Sequence, residues 1–130
     1  MDIMIVEDEI ISSKKLSEIL SPYGECKVFY DGKSAIAYYS KCLEKNHNID
    51  LITLDIAMPE FDGVETLIEL RAIEKENGIS TDNGAKIIMV TSSFDKDKIT
   101  ECFAQSCNDY IIKPFDENKI ISRLKNNRLI

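Results

Sequence analysis

No two of the four cysteines, Cys26, Cys42, Cys102 and Cys107, stand in a CxxC spacing, and the single histidine, His47, has no ligand-like neighbours. A zinc framework or disulfide scaffold is thereby set aside, and the thiols read as small core-filling side chains in a reducing cytosol. No apolar run approaches the ~20 residues of a membrane span, and the opening MDIMIVEDE lacks the basic start of a signal peptide. A cytoplasmic protein without membrane insertion is expected. Neither a GxGxxG nor a P-loop follows the first apolar run, and the acids of VEDEI would repel phosphate unless a metal intervened. That argues against a flavin or dinucleotide carrier. Positive charge is also short, with 16 basic against 23 acidic residues and a net charge of −7. A whole-surface grip on nucleic acid needs cations to neutralise phosphate, so no direct nucleic-acid partner is expected.

What is present is a soluble balance of 44% hydrophobic and 30% charged residues over 130 positions, the usual size of one domain, with no internal repeat or linker. Short apolar runs at 3–6, 27–29, 51–54, 87–90 and 110–112 alternate with longer segments at 9–20, 34–45, 64–76, 96–105 and 117–126. The longer segments carry apolar residues at three-to-four spacing, as in Leu16 and Leu20, or Ile120, Ile121 and Leu124, and read as amphipathic helices. Strict alternation of strand and helix predicts an α/β fold with a parallel sheet covered on both faces. In its flavodoxin-like form this is a three-layer sandwich, with five strands in the order 2-1-3-4-5 and five helices. Ligands then bind beyond the carboxyl ends of the strands at the β1/β3 switch point. The polar stretch ENGISTDNG, 76–84, reads as a surface loop at the opposite end.

The run LITLDIAMPEFDG ends an apolar strand in an acid, Asp55. Burying a carboxylate costs several kcal/mol unless it is paired, hydrogen-bonded or on a metal. The predicted topology supplies its partners: the first strand runs into Glu7 and Asp8, the fourth into Thr91 and the fifth into Lys113. Three clustered carboxylates disfavour full ionisation unless a cation sits among them, and a few hard oxygen donors partly open to water suit Mg²⁺ better than zinc or calcium. Such an ion flanked by the Lys113 ammonium and the Thr91 hydroxyl makes a receptacle for a phosphoryl group, with Asp55 as its acceptor.

On Glu7-Asp8, LDIAMPEFDG, VTSS and DYIIKPF, the chain resembles the receiver domain of two-component response regulators over nearly its whole length, 1–130, and in particular the stand-alone, chemotaxis-type members. The resemblance implies a signalling domain rather than an enzyme, which takes a phosphoryl group from a histidine kinase or a histidine phosphotransfer protein onto Asp55 and autodephosphorylates. It implies Mg²⁺ as cofactor, held by Glu7, Asp8, Asp55 and the backbone carbonyl of Ala57, with Thr91 and Lys113 contacting the phosphoryl oxygens. Thr91 and Tyr110 would form the switch, the ring turning inward when the Thr91 hydroxyl moves to the phosphoryl group. A downstream protein would be met through the fourth helix, fifth strand and fifth helix. It also implies a cis peptide bond between Lys113 and Pro114, and a phosphorylated lifetime tuned by the side chains bordering the acceptor, here Ala57 and Ser93.

Simpler readings stand beside these. Asp8 and Glu9 open a helix, where acids are favoured in any case. Asp62-Gly63-Val64-Glu65 is the acid version of a capping box and reads as structural. Pro59 shapes the turn out of the third strand, Tyr110 is also an ordinary half-buried strand aromatic, and Lys119, Arg123, Lys125 and Arg128 complement a helix terminus. Two residues depart from the family pattern: Ser92, where alanine is common, and Ser106, where glycine is common. An Asp-nucleophile, Mg²⁺-dependent phosphatase of the haloacid-dehalogenase kind is the rival enzyme, but it wants a second acid two residues after the nucleophile, where this chain has Ala57. An N-terminal fragment of a longer transcriptional regulator would present the same residues, and so would a structural module with a vestigial site.

Overall fold

The computed structural model describes residues 1–58 and 61–130. Pro59, expected to shape the turn after the third strand, lies outside the described residues. Strands β1 (Asp2–Val6), β2 (Glu25–Phe29), β3 (Leu51–Leu54), β4 (Lys86–Thr91) and β5 (Asp109–Ile112) pair in parallel in the order β2-β1-β3-β4-β5. Between and after them run α1 (Ile10–Leu20), α2 (Gly32–Glu44), α3 (Gly63–Glu76), α4 (Lys96–Ala104) and α5 (Glu117–Asn126). This is the flavodoxin-like arrangement that the alternating pattern predicts. All four residues of β3 are buried, as befits a central strand covered on both faces. The edge strand β2 keeps Glu25 and Lys27 exposed.

Alternation along the strands sorts the core into two halves. Ile3 and Ile5, Leu51, Ile88 and Val90, and Ile111 face α1 and α5, where Leu16, Leu20, Ile120 and Leu124 cover them. Met4 and Val6, Ile52 and Leu54, and Ile87 and Met89 face the other way, toward Tyr39, Leu67, Leu70 and Cys102.

Helix starts follow from local chemistry. Asp31, Asp62, Asp95 and Asp116 each cap a helix by accepting backbone N–H bonds from its first turn. Asp62 and Glu65 form the reciprocal capping box, with Glu65 N–H to Asp62 Oδ1 at 2.9 Å. Helix α1 differs: its N-cap, Glu9, makes no side-chain cap bond. The 76–84 stretch is exposed or half-buried, as expected, and contains a 3₁₀ turn at Thr81–Asn83.

At the amino end of the sheet lies a buried polar network. Glu74 is 1% exposed. Its carboxylate accepts from Tyr39 Oη–H at 2.5 Å, the Ala85 N–H at 2.9 Å and Arg71 Nη1–H at 2.7 Å. Arg71 also donates to the Ser106 carbonyl, through Nε at 3.1 Å and Nη2 at 2.8 Å, and to Asn108 Oδ1 at 2.9 Å. Burial first, and then the Glu74 carboxylate, pushes the Tyr39 phenol well above its ordinary pKa. The network ties α3 to α2, the start of β4 and the α4–β5 turn.

Candidate functional site

The carboxyl ends of β1, β3 and β5 deliver three side chains to one edge of the sheet. Past each strand, Glu7 is in phase with Ile3 and Ile5, Asp55 with Leu51, and Lys113 with Ile111, the residues of the α1 and α5 side of the core. Oxygens of Glu7, Asp8 and Asp55 lie within 4.8 Å of one another. Glu7 is 1% and Asp55 5% exposed, whereas Asp8 is open to solvent. The Lys113 ammonium lies 2.5 Å from Glu7 Oε1 and 3.2 Å from Asp55 Oδ2. Burial raises the Glu7 carboxyl to about 7, against the opposing pull of Lys113 and with a further push from Asp55. Burial alone would lower the Lys113 ammonium, but its bond to Glu7 and the charge of Asp55 carry it upward.

The backbone around Asp55 answers why an acid is followed at once by tight turns. Ala57 N–H donates to Asp55 Oδ1 at 3.1 Å, and the N–H groups of Met58 and Gly63 both donate to the Ile56 carbonyl at 2.9 Å. A Cβ on Gly63 would sit 2.1 Å from the Asp55 carbonyl oxygen, so only glycine lets α3 begin this close to the acid. Ala57 is exposed beside the carboxylate. Glu9, the N-cap of α1, makes no side-chain cap bond: its carboxylate takes the Ser12 hydroxyl at 2.6 Å, and Glu7 Oε2 accepts the Glu9 N–H at 3.1 Å.

Thr91 is in phase with Met89, and Tyr110 packs against the α2, α3 and α4 side of the core. Thr91 is fully buried, and its Oγ1 accepts the Ser93 N–H at 3.3 Å. Tyr110 is half-buried and its hydroxyl donates to the Ser93 carbonyl at 3.0 Å. The two side chains therefore hold one residue, Ser93, from its two backbone groups. Among the described residues no hydrogen bond joins Thr91 to Asp55. The Lys113–Pro114 peptide bond is cis, as the resemblance implies. Ser92 is exposed on a groove of about 380 Å³ that also borders Lys113.

Sequence reading did not anticipate the Glu74 network. Its signal was present, because Glu74 continues the stripe of Leu67 and Leu70 at three-to-four spacing, where an apolar residue belongs, with Arg71 one turn before it.

A 2-1-3-4-5 parallel sheet with acids and a lysine converging at its switch point is the architecture of a receiver domain. The family model of the response regulator receiver domain matches residues 3–125, and the chain belongs to that family. The chemotaxis protein CheY of Bacillus subtilis (strain 168) is 28% identical over 124 residues, 94% of this chain and 92% of that protein. The regulatory protein VanRc of Enterococcus gallinarum is 32% identical over 124 residues, covering 95% of this chain and 48% of its own length. Among solved structures, the CheX-CheY-BeF3-Mg²⁺ complex from Borrelia burgdorferi matches with a TM-score of 0.81 at 26% identity, over 98% of this chain and 88% of that one. The receiver domain of the histidine kinase CKI1 from Arabidopsis thaliana complexed with Mg²⁺ matches with 0.79 at 25% identity, over 94% and 89%. Among the described residues, no helix is long and apolar enough to cross a membrane.

Proposed function

We propose that this receiver domain, spanning 1–130, accepts a phosphoryl group on Asp55 from the phosphohistidine of a histidine kinase or histidine phosphotransfer protein in the cytoplasm. The observation that carries the reading is the buried Asp55 carboxylate held between Lys113 Nζ at 3.2 Å and the Ala57 N–H at 3.1 Å. Those two donors orient the carboxylate. A bond forms between an Asp55 oxygen and phosphorus as the phosphorus–nitrogen bond to the donor imidazole breaks, its electron pair leaving with the imidazole. Lys113 supplies positive charge where the phosphoryl oxygens come to lie. Glu7, Asp8 and Asp55, with the Ala57 carbonyl, would hold Mg²⁺. The fit rests on their chemistry: three oxygen donors within 4.8 Å, with a buried Glu7 whose ionisation burial opposes. Bound there, the ion neutralises the acids and draws charge from the phosphoryl oxygens.

The test is intact-mass measurement after exposure to a small acyl phosphate in Mg²⁺ buffer. One added phosphoryl group is expected, and Asp55→Asn abolishes it; unchanged labelling in that variant removes Asp55 from the role. The absence of an acid at Ala57 weighs against the rival phosphatase reading.

The signal leaves through α4, β5 and α5 to a protein partner. When the phosphoryl group recruits the Thr91 hydroxyl, the Ser93 N–H loses its acceptor, while the Ser93 carbonyl remains the partner of Tyr110. The β4–α4 loop thus couples the two side chains and biases one packed arrangement. Phosphorylation-induced NMR shifts in α4, β5 and α5 that survive Thr91→Ala would remove this coupling.

A further inference from the structure

We propose that Lys15, on α1, is a positioning residue for Lys113, holding the segment between β5 and α5 so that the Lys113 ammonium stays on the acids; the inference rests on the phosphoacceptor reading above. Lys113 stands one residue past β5, and its own N–H donates to the Thr91 carbonyl at 2.8 Å. Beyond that bond the sheet ladder ends, and Pro114 has no N–H to offer. The segment next reaches regular structure at Asp116, which caps α5. Between these points the Phe115 carbonyl takes a hydrogen bond from Lys15 Nζ at 2.5 Å, the one tertiary hydrogen bond to the backbone of 114–115 among the described residues.

A second contact acts on the same residue. The Lys15 ammonium lies 4.7 Å from the centroid of the Phe115 ring, and that ring is 5% exposed in the core beneath α1 and α5. One cation therefore fixes both the carbonyl and the ring of the residue two past Lys113. Lys15 and Lys113 line the same groove, together with Ser12 and Pro114, and Lys113 joins it to the acid cluster. Without Lys15 the carbonyl turns to water, and the chain from Lys113 to Phe115 gains freedom at the point where the Lys113 side chain is aimed. Misplacing a reacting or stabilising group by 1 Å can cost about 10²-fold in rate. A partial loosening costs less, about five- to tenfold by the same reasoning.

The experiment uses the full chain with acetyl phosphate and Mg²⁺, a small donor that leaves any protein–protein docking out of the measurement. Lys15→Met, which retains the aliphatic stem, should slow phosphorylation about five- to tenfold. Lys15→Arg, which keeps both the donor and the cation over the ring, should restore most of the rate. In parallel, NMR of the protein without donor should show the Lys113 side-chain resonances shifted in Lys15→Met and returned toward the wild type in Lys15→Arg. A Lys15→Met rate within twofold of the wild type, equal losses in both variants, or unmoved Lys113 resonances would each overturn the proposal. A wild-type protein that takes no phosphoryl group refutes the phosphoacceptor reading instead, and the NMR comparison then decides the role of Lys15 by itself.

Discussion

Lys113 lies closer to Glu7 than to Asp55, at 2.5 Å against 3.2 Å. The ammonium thus already occupies part of the space and charge that a cation among Glu7, Asp8 and Asp55 would claim. Mg²⁺ should still raise the melting temperature, because a ligand that binds only the folded state adds RT ln(1 + [L]/Kd) to stability. At ten times Kd this is about 1.4 kcal/mol, or a few degrees for a chain of this size. Lys113→Met removes the competing cation and leaves the acids facing one another, so the Mg²⁺-dependent rise should be larger than in the wild type. In Asp8→Asn it should shrink. Calorimetric scans with and without millimolar Mg²⁺ decide the matter: no rise in the wild type, or an undiminished one in Asp8→Asn, removes the metal from these three acids.

The second prediction concerns the buried carboxylate at the other end of the sheet. Glu74→Ala leaves the Arg71 guanidinium without its counter-charge and the Tyr39 hydroxyl and Ala85 N–H without their acceptor. Removing one partner of a buried pair costs about 3–5 kcal/mol. Tyr39→Phe deletes one hydrogen bond to a charged acceptor and leaves Arg71 and Ala85 in place, at roughly 1.5–3 kcal/mol. Urea denaturation should therefore rank Glu74→Ala well below Tyr39→Phe. Both variants, where folded, should still take a phosphoryl group on Asp55, because the network lies at the opposite end of the sheet. An equal loss in the two would mean that Glu74 is held by something other than its donors.

Most of the fold was legible because β–α alternation leaves few topologies open. The acid cluster was legible because strand ends map directly onto one edge of such a sheet. What the residues alone could not give was which partners each side chain takes at that edge: Lys113 bonds Glu7 and Asp55, while Thr91 and Tyr110 both bond the Ser93 backbone. The Glu74 network was legible only in part: an acid on the Leu67 and Leu70 stripe stands where an apolar residue belongs, but its partner Tyr39 is 35 residues away in sequence. Lys15 was hidden for the same reason: its partner is 100 residues away in sequence.

Ser106 supplies a third prediction. It sits at φ 72°, the left-handed region that costs a residue with a Cβ about 1–2 kcal/mol and costs glycine little. The Arg71 bonds at this position go to the Ser106 backbone carbonyl and survive any side-chain change. Ser106→Gly should stabilise the protein by about 0.5–1 kcal/mol, the relief of strain less the extra chain entropy of glycine when unfolded. A urea midpoint that falls in Ser106→Gly would mean that the serine hydroxyl contributes something its hydrogen bonds do not reveal.

The last prediction is the persistence of the phosphorylated state. An acyl phosphate on Asp55 is lost when water attacks phosphorus in line, so the side chains along that approach govern its lifetime. Ala57 is exposed beside the carboxylate and contributes only its N–H to Asp55 Oδ1. Ser93 is small too, and its hydroxyl is turned toward α4, where Oγ accepts the Asp95 N–H at 3.4 Å. Neither residue carries the bulk to shield the phosphorus or a free group aimed at an attacking water. Enlarging the border, as in Ala57→Met or Ser93→Tyr, should therefore slow self-dephosphorylation. Ser93→Ala, which removes a hydroxyl already engaged elsewhere, should change the rate by less than a factor of ten, about 1.4 kcal/mol in barrier. The measurement is intact-mass decay in Mg²⁺ buffer after the donor is removed. If both enlarged variants decay faster than the wild type, water access does not limit the step. Control would then pass to Lys113, a cation that already touches Asp55, and through it to whatever holds the β5–α5 segment in place.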